Sequence, residues 1–255
     1  MDEEARYWIG FSVFPGIGPV RFALLLEYFG SAKSAWGATE HDLYAIHIPE
    51  RIVREFVSFR RSFDLSAYID ELHTKHVSVL LSNSPRYPER LKQISDAPFV
   101  LYVLGKKPHQ PINLDLTIGV VGTRKITSYG TLVTKRLTEE LVAYGFTIVS
   151  GLAYGVDAIV HNTAIESGGN TIAVLGCGID VIAPASNTQL YHTIASGHGA
   201  IVSEMPLGAR PGKGLFPARN RIISGLSRGI LVIEATERSG SLITARMAVE
   251  QGRDV

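Results

Sequence analysis

A run of cationic side chains lies near the end of this 255-residue sequence. All charged residues between Glu204 and Glu234 are basic, and they are Arg210, Lys213, Arg219, Arg221 and Arg228. Phe216 stands within the run, three residues after Lys213 and three before Arg219. A guanidinium group binds phosphate oxygens bidentately, and an aromatic ring offers a face on which a base stacks. The run therefore predicts a site for a phosphate-bearing ligand.

A structural interpretation of the same run stays open. In that interpretation Phe216 joins the core and Arg221 pairs with Glu234. Arg228 then lies at the C-terminus of a helix, where a cation is favourable. For Arg228 we prefer the structural interpretation.

Catalytic and metal-binding residues form no known motif in this sequence. A phosphate-cradling G-x-x-x-x-G-K-[ST] loop is absent, and "GVVGTRKITSYG" lacks the glycine spacing of a dinucleotide fold. The serines near predicted strand ends occupy no G-x-S-x-G elbow. Cys177 stands alone, and the eight histidines form no cluster with ligand spacing. We therefore expect no catalytic residue, no metal and no cofactor, and a protein that is not an enzyme.

Asp157 and His161 are four residues apart and share one face of a predicted helix. Such a pair could serve as a general acid or as two metal ligands. We favour a structural role, in which Asp157 stabilises the positive end of the helix and His161 packs beside a sheet with one hydrogen bond.

The elements that would position these residues alternate regularly from Leu116 onward. Long apolar segments, typical of strands buried on both faces, are "TIGVVG", "FTIVSG", "TIAVLG", "AIVSE" and "GILVIEA". The segments between and after them have helical character, near 128–144, 156–167, 187–196, 216–229 and 240–252. The alternation predicts an α/β fold, a Rossmann-like doubly wound and mostly parallel sheet.

Ligands of such a sheet bind beyond the carboxyl ends of the strands. The predicted binding residues at these ends are Gly122, Thr123 and Arg124 after the first strand, and Ser239, Gly240 and Ser241 after the fifth. The sequence stops at "GRDV", which resembles the start of another strand. We expect a longer natural protein, with this domain truncated at its C-terminal end.

Three segments are predicted along the chain. Residues 1–63 form a small helical domain of the SAM-like or helix-hairpin-helix type, 64–112 a connector that extends the sheet, and 113–255 the Rossmann-like domain. In the first, the "PGIGP" turn brings Gly16 and Gly18 to a helix start, where backbone N–H groups can approach a phosphate. Its alternative is a tight interhelical turn in which the glycines serve geometry alone.

Composition limits the functional classes. The net charge of +1 lacks the strong basic bias of many nucleic-acid-binding domains, so such a function would depend on local charge. No apolar run reaches the roughly 20 residues of a membrane span, and no membrane partner is expected. One cysteine fits a reducing cytoplasm.

Five motifs resemble the DNA-processing protein A family, also called DprA or Smf. In order along the chain they are "GVVGTRKITSYG", "SGLAYGVD", "GGNTIAVLGCGID", "FPARNRIISGL" and "SGSLITARMA". The resemblance covers about residues 80–255, while the helical N-terminus agrees more loosely with the SAM-like domain of many members. It implies a homodimer that binds single-stranded DNA, protects incoming DNA and loads the RecA recombinase during natural transformation.

The DNA contacts that the resemblance implies are Arg124, Lys213, Phe216, Arg219, Asn220 and Arg221, with Gly122, Thr123 and residues 239–241 bordering the same pocket. The sequence departs from the family at "IAPASN", where Ala183 and Ser186 replace the tyrosine and lysines common there. Two alternatives remain. One is an enzyme acting on a nucleoside monophosphate, similar to phosphoribohydrolases, although their "PGGxGT" loop is absent. The other is an interaction scaffold with an inert pocket.

Overall fold

A computed structural model describes residues 2–105, 115–237 and 239–255. The N-terminal part is helical as far as Thr74, and its helices are α1 (Glu3–Val13), α2 (Pro19–Phe29), α3 (Ala32–Gly37), α4 (Glu40–Ala45), α5 (Glu50–Ser62) and α6 (Leu65–Thr74). Side-chain caps set several starts. Thr39 and Asp42 form a capping box on α4, and Asp64 accepts from the backbone N–H of Ala67 on α6. Gly30, in a left-handed conformation, ends α2.

Aromatic residues dominate the core of these helices. Phe11 stacks on Phe56 with 5.1 Å between ring centroids, and Trp36 meets both rings edge to face. Phe22 stacks on Phe99, which precedes the second strand, at 4.1 Å. Such pairs add about 1 kcal/mol each beyond the area that they bury. One hydrophobic cluster therefore continues from the helices to the sheet.

The strands of the described residues form one sheet. In chain order they are β1 (Ser78–Leu81), β2 (Val100–Leu104), β3 (Thr117–Gly122), β4 (Thr147–Ser150), β5 (Thr171–Leu175), β6 (Gly199–Ser203) and β7 (Ile230–Ile233). Their spatial order is β1-β2-β6-β5-β4-β3-β7. The five strands from β3 to β7 pair in parallel, while β1 and β2 add an antiparallel edge beside β6. This confirms the predicted fold class.

Helices cover both faces of the sheet, and they are α7 (Glu89–Lys92), α8 (Ser128–Ala143), α9 (Val156–Glu166), α10 (Thr188–Thr193), α11 (Leu215–Leu226) and α12 (Gly240–Glu250). The helices α8 and α9 pack with Val120 and Ile148 on one face. The helices α7, α11 and α12 pack with Val121 and Val149 on the other. Apolar residues thus alternate between the faces along each strand.

Two adjacent strands send their following helices to opposite faces. After β3 the chain enters α8 on one face, and after β7 it enters α12 on the other. A crevice opens at such a switch point, beyond the carboxyl ends of the two strands. The predicted helix near 187–196 is shorter, because after Thr193 it continues as a π-type turn that includes Gly197 in a non-helical conformation.

Two further predictions from the sequence concern an additional strand and membrane-spanning helices. Gly229 and Asp254 form an isolated parallel bridge next to β7, where the sequence predicted another strand. Among the helices of the described ranges, none combines the length and apolarity of a membrane span.

Candidate functional site

A cleft of about 380 Å³ lies at the switch point between β3 and β7, and we call it the strand-end cleft. Its walls come from the end of β3, the loop after β4, the first turn of α9, the helix α11 and the N-terminal half of α12. The predicted residues that line it are Gly122, Thr123, Arg124, Phe216, Arg219, Asn220, Ser239, Gly240 and Ser241. The tertiary structure thus brings three separate sequence motifs to one site.

The loop after β3 needs its glycine. A Cβ at Gly122 would lie 2.0 Å from the carbonyl oxygen of Ile233 and 2.5 Å from Cγ2 of Val156, so no larger residue fits. The Thr123 carbonyl accepts a hydrogen bond from the N–H of Val156 at 3.2 Å. The Thr123 hydroxyl accepts a second one from the N–H of Lys125 at 3.1 Å. These contacts fix the loop that carries Arg124.

Arg124 is exposed and lies over the ring of Phe216, with 5.6 Å between its guanidinium carbon and the ring centroid. A cation over an aromatic face at this distance is favourable by about 1 kcal/mol. The pair joins the loop after β3 to the first turn of α11. One face of Phe216 is therefore covered by Arg124, whereas the sequence predicted either a ring free to stack on a base or a core residue.

Arg219 forms the floor of the cleft and is only 4% exposed. Its Nη1 donates to the Val174 carbonyl at 2.6 Å, while its Nε has no partner among the described groups. The guanidinium packs so closely on Gly151 that a Cβ there would lie 1.7 Å from Nη1. Burial lowers the pKa of Arg219, and the nearby Asp157 carboxylate partly offsets that effect.

Asp157 lines the cleft and has a larger role there than its place near a helix start predicts. Its carboxylate accepts hydrogen bonds from the backbone N–H groups of Gly151 at 3.1 Å and Ala153 at 3.3 Å. Burial raises the pKa of Asp157, and the charge of Arg219 acts against that rise. Asp157 therefore fixes the loop after β4 by hydrogen bonds and partly offsets the positive charge of Arg219. It also lies in the first turn of α9. An electrostatic interaction between residues 62 positions apart leaves no local signal in the sequence.

His161 takes the structural role that we favoured. Its ring is fully buried, and Nδ1 lies 2.6 Å from the Thr171 hydroxyl. Burial, with the charge of Arg219 as a second cause, lowers the pKa of His161 to about 3. Within the described ranges, no three His, Cys, Asp or Glu side chains are placed to hold a metal ion.

Small residues start α12 at the cleft wall. The Ser239 hydroxyl accepts a hydrogen bond from the N–H of Ser241 at 3.3 Å, and their two hydroxyl oxygens lie 2.6 Å apart. Asn220 reaches the carbonyl of Gly240 through its Nδ2 at 3.4 Å. The two serines and the first amides of α12 offer hydrogen-bond donors beside the two arginines, as an anion requires.

A side chain of the protein itself accepts hydrogen bonds at the start of α8. Glu234 follows β7 with φ of +48°, and its carboxylate accepts hydrogen bonds from the N–H and the hydroxyl of Thr127. These bonds hold the pKa of Glu234 below its ordinary value. A carboxylate of the same chain thus occupies this helix start, whereas the starts of α9, α11 and α12 contribute residues to the cleft.

Arg221 lies elsewhere, and this corrects the expectation that it shares one site with Arg219. It is 8% exposed, donates to both oxygens of Glu204 at 2.8 and 2.6 Å, and pairs with Asp96 at 2.9 Å. Burial opposes the charge, yet Glu204 and Asp96 outweigh it and raise the pKa of Arg221. The suggested partner Glu234 was wrong. A DNA contact by Arg221 stays a prediction that this geometry disfavours.

Three other residues predicted to contact DNA, Lys213, Gly16 and Gly18, also lie outside the cleft walls. Lys213 is exposed in the turn before α11. In the "PGIGP" turn, Arg21 donates from Nη1 to the Gly16 carbonyl at 2.9 Å, and Gly18 precedes α2 without a side-chain cap. Gly18 borders a separate apolar groove of about 430 Å³. DNA contacts at these residues stay predictions.

Comparison with known proteins agrees with this architecture. The family described as DNA recombination-mediator protein A matches residues 78–255. Protein Smf from Synechocystis is 41% identical over 256 residues, which cover 100% of this chain and 64% of the relative. DNA processing protein DprA from Bacillus subtilis is 44% identical, covering 70% of this chain and 59% of the relative. The chain thus spans less than two thirds of these relatives' length.

Solved structures support the same assignment. DNA processing protein A from Streptococcus pneumoniae has a TM-score of 0.80 at 32% identity, covering 100% of this chain and 86% of that one. The Helicobacter pylori protein, described for its single-stranded DNA binding mode, has a TM-score of 0.62 at 34% identity, covering 69% of this chain and 78% of that one. The chain therefore belongs to the DNA recombination-mediator protein A family.

Proposed function

We propose that this chain binds single-stranded DNA in the strand-end cleft. The observation that carries the proposal is the meeting of Arg124 and Arg219 in one cleft at the switch point of the sheet, beside the first turn of α12. The Helicobacter pylori relative, described as a single-stranded DNA binder, supports it.

In this proposal the backbone of the strand is held by charge and by fixed hydrogen-bond donors. Arg124 is exposed and packs on the ring of Phe216. Its guanidinium group therefore contacts a phosphate before the buried Arg219 does. Arg219 keeps its position through its hydrogen bond to the Val174 carbonyl, and its guanidinium group supplies positive charge in the floor. Ser239 and Ser241 add hydroxyls. No bond of the DNA is broken in this scheme.

The wider role is proposed from the family. Members carry names that denote DNA processing and recombination mediation. We therefore propose that the whole protein acts as a homodimer in the cytoplasm, protects incoming single strands and loads RecA during natural transformation. The proposed contacts with a second copy of the chain and with RecA are independent of the proposed binding of DNA in the cleft.

The test is the binding of a fluorescent oligothymidine, measured by anisotropy between about 50 and 200 mM salt. Arg124→Ala removes one exposed charge from the cleft. We expect about tenfold weaker binding, as for a lost charge-assisted hydrogen bond. The salt slope of log K should become shallower by about 0.7, the value for one phosphate of a single strand. Arg219→Lys keeps the charge but loses the fork, and we expect an unchanged slope with weaker binding.

Arg51→Ala is the matched control, because Arg51 is an exposed arginine of α5 that pairs with Glu55 one helical turn away. It changes the net charge by the same amount as Arg124→Ala. Equal binding of wild type and Arg124→Ala, or an equal loss in Arg51→Ala, would reject the cleft as the site. Tight binding of a nucleoside monophosphate in place of the oligothymidine would favour the enzyme alternative.

A further inference from the structure

A second aromatic residue lies beside the strand-end cleft. Tyr154 directly follows Ala153, which lines the cleft. The Tyr154 residue is 52% exposed. Neither the cationic run nor the proposed phosphate contacts make use of its ring.

The backbone after Tyr154 touches the loop that carries Arg124. A Cβ at Gly155 would lie 2.3 Å from the carbonyl oxygen of Thr123 and 2.9 Å from Cα of Arg124. Gly155 has φ of +73°, a conformation that favours glycine. Tyr154 is thus one residue away from a direct contact with the phosphate-binding loop and one residue away from the cleft wall.

The backbone before Tyr154 is held from two sides. Asp157 accepts a hydrogen bond from the N–H of Ala153 at 3.3 Å. Asn187 donates from Nδ2 to the carbonyls of Leu152 at 2.9 Å and Ala153 at 3.2 Å. Leu152 is fully buried with φ of +56°. The ring is therefore presented by a fixed loop, so a ligand that stacks on it loses little entropy through ordering of the protein.

Exposure alone does not mark a site, because single exposed apolar residues are common on proteins. Other tyrosines of the described residues are exposed as well, and they are Tyr28, Tyr44, Tyr129 and Tyr144. None of these four is next in sequence to a residue that lines the cleft. Position, and not exposure, distinguishes Tyr154.

We propose that Tyr154 is a stacking subsite for an unpaired nucleobase at the rim of the strand-end cleft. The inference rests on the proposed binding of single-stranded DNA and adds the residue that receives a base. Arg124 covers one face of Phe216, whereas Tyr154 is 52% exposed. In this arrangement the cleft arginines bind phosphate and the ring of Tyr154 stacks on a base. A base paired in a duplex has no free face, and the subsite therefore favours single strands over duplexes.

The experiment compares Tyr154→Ala, Tyr154→Phe and Tyr144→Ala in the full chain. Tyr144 is 78% exposed and follows the C-terminal end of α8, whereas the loop with Arg124 precedes the N-terminal end of that helix. It therefore serves as the matched control. Each variant is titrated with a labelled oligothymidine, a duplex, and an abasic strand of equal length that keeps the phosphates. Tyr154→Ala should bind oligothymidine about tenfold more weakly, the loss typical of one base–aromatic stack. Its salt slope should stay unchanged, because no charge is removed.

Tyr154→Phe and Tyr144→Ala should bind oligothymidine like the wild type. On the abasic strand, wild type and Tyr154→Ala should bind equally. Unchanged oligothymidine binding in Tyr154→Ala, an equal loss in Tyr154→Phe, or an equal loss on the abasic strand would each overturn the subsite. If Arg124→Ala weakens binding while Tyr154→Ala does not, the subsite fails and the proposed function stands. If the wild type binds no single strand, both fail.

Discussion

Mild acid is expected to destabilise the fold through His161. The ring is fully buried, and its Nε2 finds no hydrogen-bond partner among the described groups. Protonation would place a charged N–H without an acceptor near the buried Arg219. For this reason burial, with Arg219 as the second cause, lowers the pKa of His161 from 6.5 to about 3.

The magnitude follows from the difference between the folded and unfolded pKa values. Between these values the unfolded chain binds a proton at His161 that the folded chain does not, so the free energy of unfolding falls as the pH falls from about 6.5 toward 3. Over that window the slope approaches about 1.4 kcal/mol per pH unit. From pH 7 to about 5.5 the loss attributable to His161 is about 1 kcal/mol.

The assay is urea unfolding, followed by circular dichroism, of the wild type and His161→Asn at both pH values. The variant sets a different baseline stability, so the quantity compared is the change with pH in each protein. Other titrating groups contribute to both proteins and cancel; Asp157, with a raised pKa, acts in the opposite direction. The wild type should lose about 1 kcal/mol more than the variant. Equal losses would show that burial does not keep His161 neutral.

Two further substitutions test the packing around the arginines. Gly151→Ala places a methyl group against Nη1 of Arg219, so we expect a stability loss of about 2 kcal/mol by thermal unfolding, whereas Gly37→Ala, which has open space, should cost far less. An unchanged melting temperature for Gly151→Ala would mean that Arg219 is not seated as described. Arg221→Ala leaves Glu204 without its bidentate partner and should cost about 3 kcal/mol of stability, with an unchanged salt slope for oligothymidine binding. A shallower slope would place Arg221 on the DNA.

Local pattern in the sequence determined the elements of the sheet domain and the chemistry of its loops. Apolar runs that predict strands buried on both faces became β3 to β7, because such runs satisfy both faces of a covered parallel sheet. Ile222, Ile223 and Leu226 are buried and pack α11 on the sheet. Small residues and arginines at strand ends predicted an anion site, and the structure brings the loops that carry them to one cleft.

Only the tertiary structure decided which cations share that site. Arg219 and Arg221 are two positions apart, about 200° around a helix, and so they face different neighbours. The seating of α11 turns Arg219 toward the cleft and Arg221 toward Glu204. Likewise, the charges of Asp157 and Arg219 act on each other, and Glu234 accepts hydrogen bonds at the start of α8, although these residues are far apart in the sequence. Such pairings depend on how the elements pack, and one-dimensional spacing carries no record of them.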